Sequence, residues 1–175
     1  MTFLGERYAR RGEARPLIEL RASVEARARG VPTPAVVAGA LYPAGLFYRA
    51  DIATELISEG HSLADRLWGP GPPAGGAADA LARAGRLTRA LEDAGVLHAD
   101  LNARNVLVGA GADPPAAHVV DLDRCRVLPL GAHPRRGPMR RRLERSLRKL
   151  GGRHGKPLTE PQWEALRAGF GAEGP

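Results

Sequence analysis

Between His98 and Asp123 the chain spaces polar side chains in a way that could move a phosphoryl group. Asp100 stands two residues after His98, and Asn105 five residues after Asp100. Asp121 follows the next apolar stretch, a turn and a second apolar stretch. A carboxylate at Asp100 can take the proton of an acceptor hydroxyl. The Asn105 amide and the Asp121 carboxylate offer hard oxygens to Mg²⁺, which takes one or two from protein and the rest from phosphate and water. His98 and Asp123 flank and support the set. A polar turn between two buried strands would use some of the same residues. Four positions, their spacing and their strand context together favour the phosphotransfer chemistry.

Those side chains need strands and a helix to aim them. Gly95-Val96-Leu97 is an apolar lead-in to His98, and Val106–Val108 reads as a short strand. Gly109–Ala116 is a turn, and His118–Val120 is the return strand that delivers Asp121 beside Asn105. A helix over 77–94 packs beneath this loop, with Leu81, Ala84, Leu87, Leu91 and Ala94 on its buried stripe and Arg83, Arg86 and Arg89 off it. Gly95 ends it.

Upstream, the spacing of Leu17, Leu20, Val24 and Ala28 predicts a helix over 13–29. Gly30 stops it, and Val31-Pro32-Thr33-Pro34 forces an extended exit. Residues 35–40 and 46–50 read as strands around the turn at Pro43–Gly45, and 52–57 stays extended. Ser62 is an N-cap with Asp65 three residues on, and His61 is a surface loop histidine. Residues 70–76 form a Pro/Gly linker.

Downstream, Cys125 is read as a small buried hydrophobe, with a reactive thiol as the alternative. A loop over 129–138 leads to a basic helix over 139–150 with an apolar edge of Leu143, Leu147 and Leu150. Arg135, Arg136, Arg140, Arg141, Arg142, Arg145, Arg148 and Lys149 crowd this region against Glu144 alone. Two interpretations stand level: a solvated basic face, or a dock for an anionic membrane or phosphorylated lipid. A last helix starts at Thr159 with a capping box to Gln162 and buries Trp163, Leu166 and Phe170.

The length of 175 residues suits one domain, or one large lobe with a fragment, and 43% hydrophobic content can build its core. The single cysteine excludes an internal disulfide and fits a reducing compartment. No apolar run is long enough to span a bilayer, and Glu6, Arg7, Arg10 and Arg11 interrupt any signal-peptide core. The expected location is therefore cytoplasmic. A net charge of +7 points to anionic partners. No aromatic stacking set or reader motif accompanies the arginines, so nucleic acid is not the expected partner. Oligomeric state is not legible.

The order H-x-D-x-x-x-x-N, then a hairpin and an Asp, resembles the kinase catalytic loop and metal segment. Protein kinases usually carry His-Arg-Asp, Leu-Lys-Pro-Glu-Asn and Asp-Phe-Gly. Here the corresponding stretches are His98-Ala99-Asp100, Leu101-Asn102-Ala103-Arg104-Asn105 and Asp121-Leu122-Asp123. G-V-L-H-A-D-L-N-A-R-N-V-L-V followed by V-V-D-L-D-R-C-R resembles the 3-deoxy-D-manno-octulosonic acid (Kdo) kinases of lipopolysaccharide synthesis. G-V-P-T-P-A-V-V-A, G-L-F-Y-R-A-D-I-A-T-E and L-E-R-S-L-R-K-L add to the likeness, which covers Arg15–Phe170.

The resemblance implies an α+β, protein-kinase-like fold. Residues 1–57 would be a reduced N-terminal lobe lacking its first strands, with helix 13–29 and strands near 35–57. Residues 58–175 would be a mostly helical C-terminal lobe, with catalytic loop 98–105 and metal segment 121–123. The implied activity is ATP-dependent phosphorylation of a Kdo hydroxyl, the 4-hydroxyl, on a lipid A precursor. It would occur peripherally, at the cytoplasmic face of the inner membrane of a Gram-negative bacterium. Asp100 would be the base, Asn105 and Asp121 the Mg²⁺ ligands, and His98 and Asp123 their supports. Glu19 would be the helix glutamate that pairs with a lysine, although composition alone makes it a solvated helix residue. Glu55 would lie where the backbone faces adenine.

The pattern also departs from a kinase. Lys149 and Lys156 are the only lysines, and Gly5 and Gly12 make no Gly-x-Gly-x-x-Gly. The expectation is an N-terminally incomplete chain with weak or absent activity by itself. The alternatives are a non-catalytic pseudokinase-like module binding anionic lipid or protein, and a kinase of the same fold for another substrate.

Overall fold

A computed structural model describes residues 8–9, 13–70, 76–109, 117–132 and 134–171. Most of the linker over 70–76 and of the turn over 109–116 lies outside the described residues, as does most of the segment before Glu13.

Strands β1 (Tyr8–Ala9), β2 (Val36–Ala44) and β3 (Phe47–Thr54) form one antiparallel sheet in the order β1-β3-β2. Gly45 turns the β2–β3 hairpin at φ 65°, and pairing runs from Ala44↔Phe47 to Val36↔Thr54. Both hairpin strands are longer than the alternation indicated. Helix α1 (Arg15–Ala28) lies beside this sheet and ends at Gly30, with φ 77°.

The apolar spacing places α1 correctly, but it does not mark the face that is buried. Leu17, Leu20 and Val24 are exposed, and Pro16, Ala22, Ser23 and Ala26 are inside. Short side chains let the helix backbone approach the Asp121 region closely.

Strand β4 (His61–Ser62) leads into helix α2 (Leu63–Trp68), where Ser62 Oγ accepts the Asp65 N–H at 3.0 Å as the expected cap. Helix α3 (Ala77–Asp93) runs to strand β5 (Val96–His98), which carries the chain into the polar loop. Strands β6 (Val106–Val108) and β7 (Ala117–Val119) form the hairpin read from the sequence, with Val106↔Val119 in register. A 3-10 turn over Leu122–Arg124 follows, then strand β8 (Cys125–Val127), which pairs with β5. Strands β1, β4 and β8 were not anticipated, and His61, read as a loop residue, lies in β4 opposite Val108. Two or three residues carry too little alternation to announce a strand, and only the partner defines it.

Helix α4 (Pro138–Arg153) is longer than expected at both ends, and helix α5 (Glu160–Phe170) opens on the expected Thr159–Gln162 capping box. The core gathers Leu81, Ala84, Leu87 and Leu91 of α3 with Leu143, Leu147 and Leu150 of α4 and Leu166 and Phe170 of α5. Two mid-helix glycines make the α3–α5 packing possible. A Cβ on Gly85 would collide with the Leu166 carbonyl oxygen, and one on Gly169 with that of Ala82.

Arg140 corrects the picture of a uniformly basic outer surface. It is buried, and its guanidinium donates through Nε at 3.1 Å and Nη2 at 2.9 Å to Glu92 Oε2. Glu92 Oε1 accepts the Gly137 N–H, and the Arg140 guanidinium lies 5.0 Å from the Phe170 ring centre. Glu92 sits on the buried stripe of α3, where a carboxylate requires a partner.

Candidate active site

The loop from His98 to Asn105 is held at its backbone by hydrogen bonds to α2, to the residue after β7 and to a side chain of α4. The Ala64 N–H of α2 donates to the Ala103 carbonyl at 3.0 Å, and the Val120 N–H donates to the Asn105 carbonyl at 3.0 Å. The Ala103 N–H donates to Ser146 Oγ of α4 at 3.1 Å.

His98 is buried and bridges the loop to β7. Its Nδ1 accepts the Asp100 N–H at 3.2 Å, and its Nε2 lies 3.2 Å from the Val120 carbonyl oxygen. The first contact needs a lone pair and the second a hydrogen, so the ring is neutral with its proton on Nε2. Burial lowers its pKa, against the opposing pull of the Val120 carbonyl, Asp121, Asp100 and Asp123. His98 thus orients the backbone that presents Asp100.

Asn105 ties the remaining groups together. Its Nδ2 donates to the Asp100 carbonyl at 3.1 Å and to Asp121 Oδ2 at 3.3 Å. Asn102 Nδ2 donates to the same Asp100 carbonyl at 2.9 Å, and Asn102 Oδ1 accepts the Arg104 N–H at 2.9 Å. With Nδ2 engaged, the Asn105 Oδ1 remains as an acceptor. Asp121 is exposed and has a left-handed backbone, φ 63° and ψ 60°. That conformation is strained for a residue with a Cβ, although Asp tolerates it better than most. It turns the chain sharply from β7 into the 3-10 turn. Asn105 Oδ1 and the Asp121 carboxylate suit a hard cation such as Mg²⁺ that takes few protein ligands.

Helix α1 approaches from the other side. Arg15 Nη1 pairs with Asp123 Oδ2 at 3.1 Å. Burial raises the Asp123 pKa, and Asp121 adds to the rise while Arg15 opposes it. Glu19, half-buried, joins the same acidic group. Burial raises its pKa first, Asp121 and Asp123 raise it further, and a hydrogen bond from the Leu122 backbone offsets part of the rise. Among the described residues, no ion pair neutralises Glu19.

Two cavities flank the set. One, of about 230 Å³, lies between α1, β2 and β3 and is lined by Glu19, Thr33, Val36, Ile52, Thr54 and Asp121. The other, of about 510 Å³, lies between the loop and α4 and is lined by Asp100, Asn102, Arg104, Arg142, Arg145 and Lys149, among others. Asp121 borders the first and Asp100 the second.

The structure brings together His98, Asp100, Asn105, Asp121 and Asp123, and it aims Glu19 at them. It leaves the Glu55 side chain outside. Glu55 Oε2 accepts the Ala35 N–H at 3.3 Å and lies 3.8 Å from Arg27 Nη1, so the carboxylate ties strand ends and α1 together. Cys125 is half-buried, and its thiol pKa is pushed up to about 12, chiefly by burial. It is therefore an inert thiol at neutral pH. Arg142, Arg145 and Lys149 were read as part of a basic helix, either solvated or docked on an anionic surface, and Arg153, on the same face of α4, lay beyond the expected end of that helix. Their spacing of three, four and four marks one helix face. Nothing in that spacing says which cavity the face lines. Arg15 and Ser146 gave no sequence signal.

The sequence matches the family model of the lipopolysaccharide kinase (Kdo/WaaP) family over residues 6–170. It is 34% identical over 161 residues to the 3-deoxy-D-manno-octulosonic acid kinase of Xanthomonas campestris pv. campestris (strain B100), covering 91% of this chain and 60% of that one. It is 30% identical over 143 residues to the enzyme of the same name from Haemophilus influenzae (strain 86-028NP), covering 81% of this chain and 57% of that one. The chain thus spans about three-fifths of the length of these curated relatives. Among solved structures, WaaP in complex with acyl carrier protein matches with a TM-score of 0.57 and 22% identity. That match covers 87% of this chain and 64% of that chain, and it shows a shared fold.

Proposed function

The chain belongs to the lipopolysaccharide kinase (Kdo/WaaP) family, and from that premise we propose that it transfers a phosphoryl group from ATP to a Kdo hydroxyl on a lipid A precursor. The observation that carries this reading is the Asn105 amide, which bonds both the Asp100 backbone and the Asp121 carboxylate. One side chain thereby fixes the separation between a candidate base and a candidate metal ligand.

In this reading Asp100 accepts the proton of the attacking hydroxyl, and the neutral His98 ring keeps the Asp100 backbone in place. Asn105 and Asp121 would hold Mg²⁺, which supplies charge neutralisation on the transferring phosphoryl group. The smaller cavity receives the nucleotide phosphates, and Glu19, which lines it, pairs in this reading with a cation. The segment around Glu55 lies toward adenine. The larger cavity receives the acceptor. Residues 1–57 then serve as the nucleotide-facing lobe and residues 58–175 as the acceptor-binding lobe. No helix among the described residues is long and apolar enough to cross a membrane. Peripheral association with the cytoplasmic face of the inner membrane, through basic residues of α4, completes the proposal.

The test is phosphate transfer from labelled ATP, with Mg²⁺, to a Kdo-bearing lipid A precursor. Asp100→Asn should lower turnover by about 10²–10⁴-fold with an unchanged melting temperature. Turnover retained in that variant would remove Asp100 from the role of base.

A further inference from the structure

The larger cavity holds more positive charge than a phosphotransfer step needs. Arg104, Arg142, Arg145, Lys149 and Arg153 line it, and Asp100 is the one acid among its lining residues. Several arginines elsewhere are matched to acids: Arg83 with Asp79, Arg89 and Arg136 with Asp93, Arg148 with Glu144 and Arg167 with Glu160. None of the five cavity cations takes part in an ion pair among the described residues. Like charges on one concave wall repel, and an anion bound among them relieves that repulsion.

The wall is also held at a set position. Leu143 and Leu147 bury another face of α4 in the core, and Ser146 Oγ accepts a hydrogen bond from the loop itself. The cations therefore stand at a defined distance from Asp100. A volume of about 510 Å³ exceeds one monosaccharide and suits a sugar with its neighbour.

We propose that this α4 wall, with Arg142 and Arg145 at its centre, is an acceptor subsite that binds the carboxylate of a sugar acid whose hydroxyl faces Asp100. The inference rests on the phosphotransfer reading above and names what recognises its substrate. In Kdo only a short stretch of the sugar ring separates the carboxylate from the 4-hydroxyl, so one cavity accommodates both. A guanidinium fork meets a carboxylate with two parallel hydrogen bonds, and an ester cannot accept them with the same strength.

Binding of free Kdo and of its methyl ester to the whole chain, measured by titration calorimetry, reads the subsite without any turnover. The acid should bind at least about tenfold more tightly than the ester. Arg142→Ala with Arg145→Ala should erase that difference. Arg145→Lys should restore part of it, and Arg167→Ala, on α5, should leave it intact. Circular dichroism checks that the double variant folds, and the exposed positions predict that it does. In the transfer assay, the same double variant should raise the acceptor KM and leave the ATP KM unchanged. Equal binding of acid and ester, or no binding of the acid, overturns the subsite. Transfer to Kdo with an unchanged acceptor KM in the double variant overturns the subsite and leaves the proposed function standing. Charge-dependent binding of the acid without any transfer supports the subsite and removes the proposed function.

Discussion

Helices α1 and α4 approach the loop of Asp100 from opposite sides, and they are attached by opposite means. Helix α4 buries Met139, Leu143, Leu147 and Leu150 and anchors its first turn through the buried Arg140–Glu92 pair. Helix α1 buries small and polar residues and leaves Leu17, Leu20 and Val24 exposed. Its attachments are polar. Ser23 Oγ donates to the Pro34 carbonyl at 3.1 Å, Arg29 Nη1 to the carbonyls of Ala94 and Leu128 at 3.0 and 2.8 Å, and Arg15 pairs with Asp123. A helix fixed by apolar burial can present an unneutralised cationic wall, because its position does not depend on those charges. A helix fixed by charges at the site moves its energy whenever those charges change. The first arrangement suits a subsite, and the second suits an element that senses what is bound.

The largest expected effect separates the two attachments directly. Arg140→Ala leaves Glu92 buried without its partner and should cost about 3–5 kcal/mol in denaturant unfolding. Arg15→Ala breaks a partly exposed pair and should cost no more than about 1 kcal/mol. Equal losses would erase the distinction. Next, Leu147→Ala opens a cavity in the core and should cost about 2–5 kcal/mol. Val24→Ala on the exposed face of α1 should stay within about 0.5 kcal/mol in the same melts. A costly Val24→Ala would mean that the outer face of α1 is covered in solution.

A smaller effect follows pH. The folded state holds His98 below its usual value because burial disfavours the imidazolium, and burial acts on His118 in the same direction. Above about pH 6.5 both folded and unfolded chains keep the ring neutral. Below it the unfolded chain takes up the proton first, so stability falls as the pH drops toward the folded values. Melting temperatures from pH 7 to 5 should decline, and His98→Asn should flatten that decline. The smallest effect concerns Glu19. Its raised pKa means that the fold favours the protonated form, so stability from this group is present at low pH and lost as pH rises through the folded value. Glu19→Gln should therefore raise the melting temperature slightly at neutral pH. A fall would show that the carboxylate is satisfied as it stands.

Much of the loop was legible because its signals are local. Asn105 and Asp121 are joined by a hairpin of two short apolar strands, and the register of that hairpin puts them together. The caps at Ser62 and Thr159 depend on residues three positions apart, so the sequence carries them whole. Helix α4 was legible in outline because Leu143, Leu147 and Leu150 repeat at helical spacing. Arg140 was read as surface, since nothing in its own neighbourhood reveals that Glu92 waits on α3. Helix α1 showed the limit most clearly. Leucine and valine spacing identifies a helix, yet close approach to the Asp121 turn requires small side chains, and that requirement decided which face went inside.

The sequence by itself determined the candidate set of Asp100, Asn105 and Asp121, the hairpin that joins it and the helices around it. Period, capping and turn residues act over a few positions and need no distant partner. Tertiary structure alone decided that Arg142, Arg145 and Lys149 face Asp100 across a cavity, that Glu19 leans on an acidic turn and that the Glu55 carboxylate is tied to the Ala35 N–H. Each of these joins elements far apart in the chain, and only the packing of one helix against another sets which of its faces meets the loop.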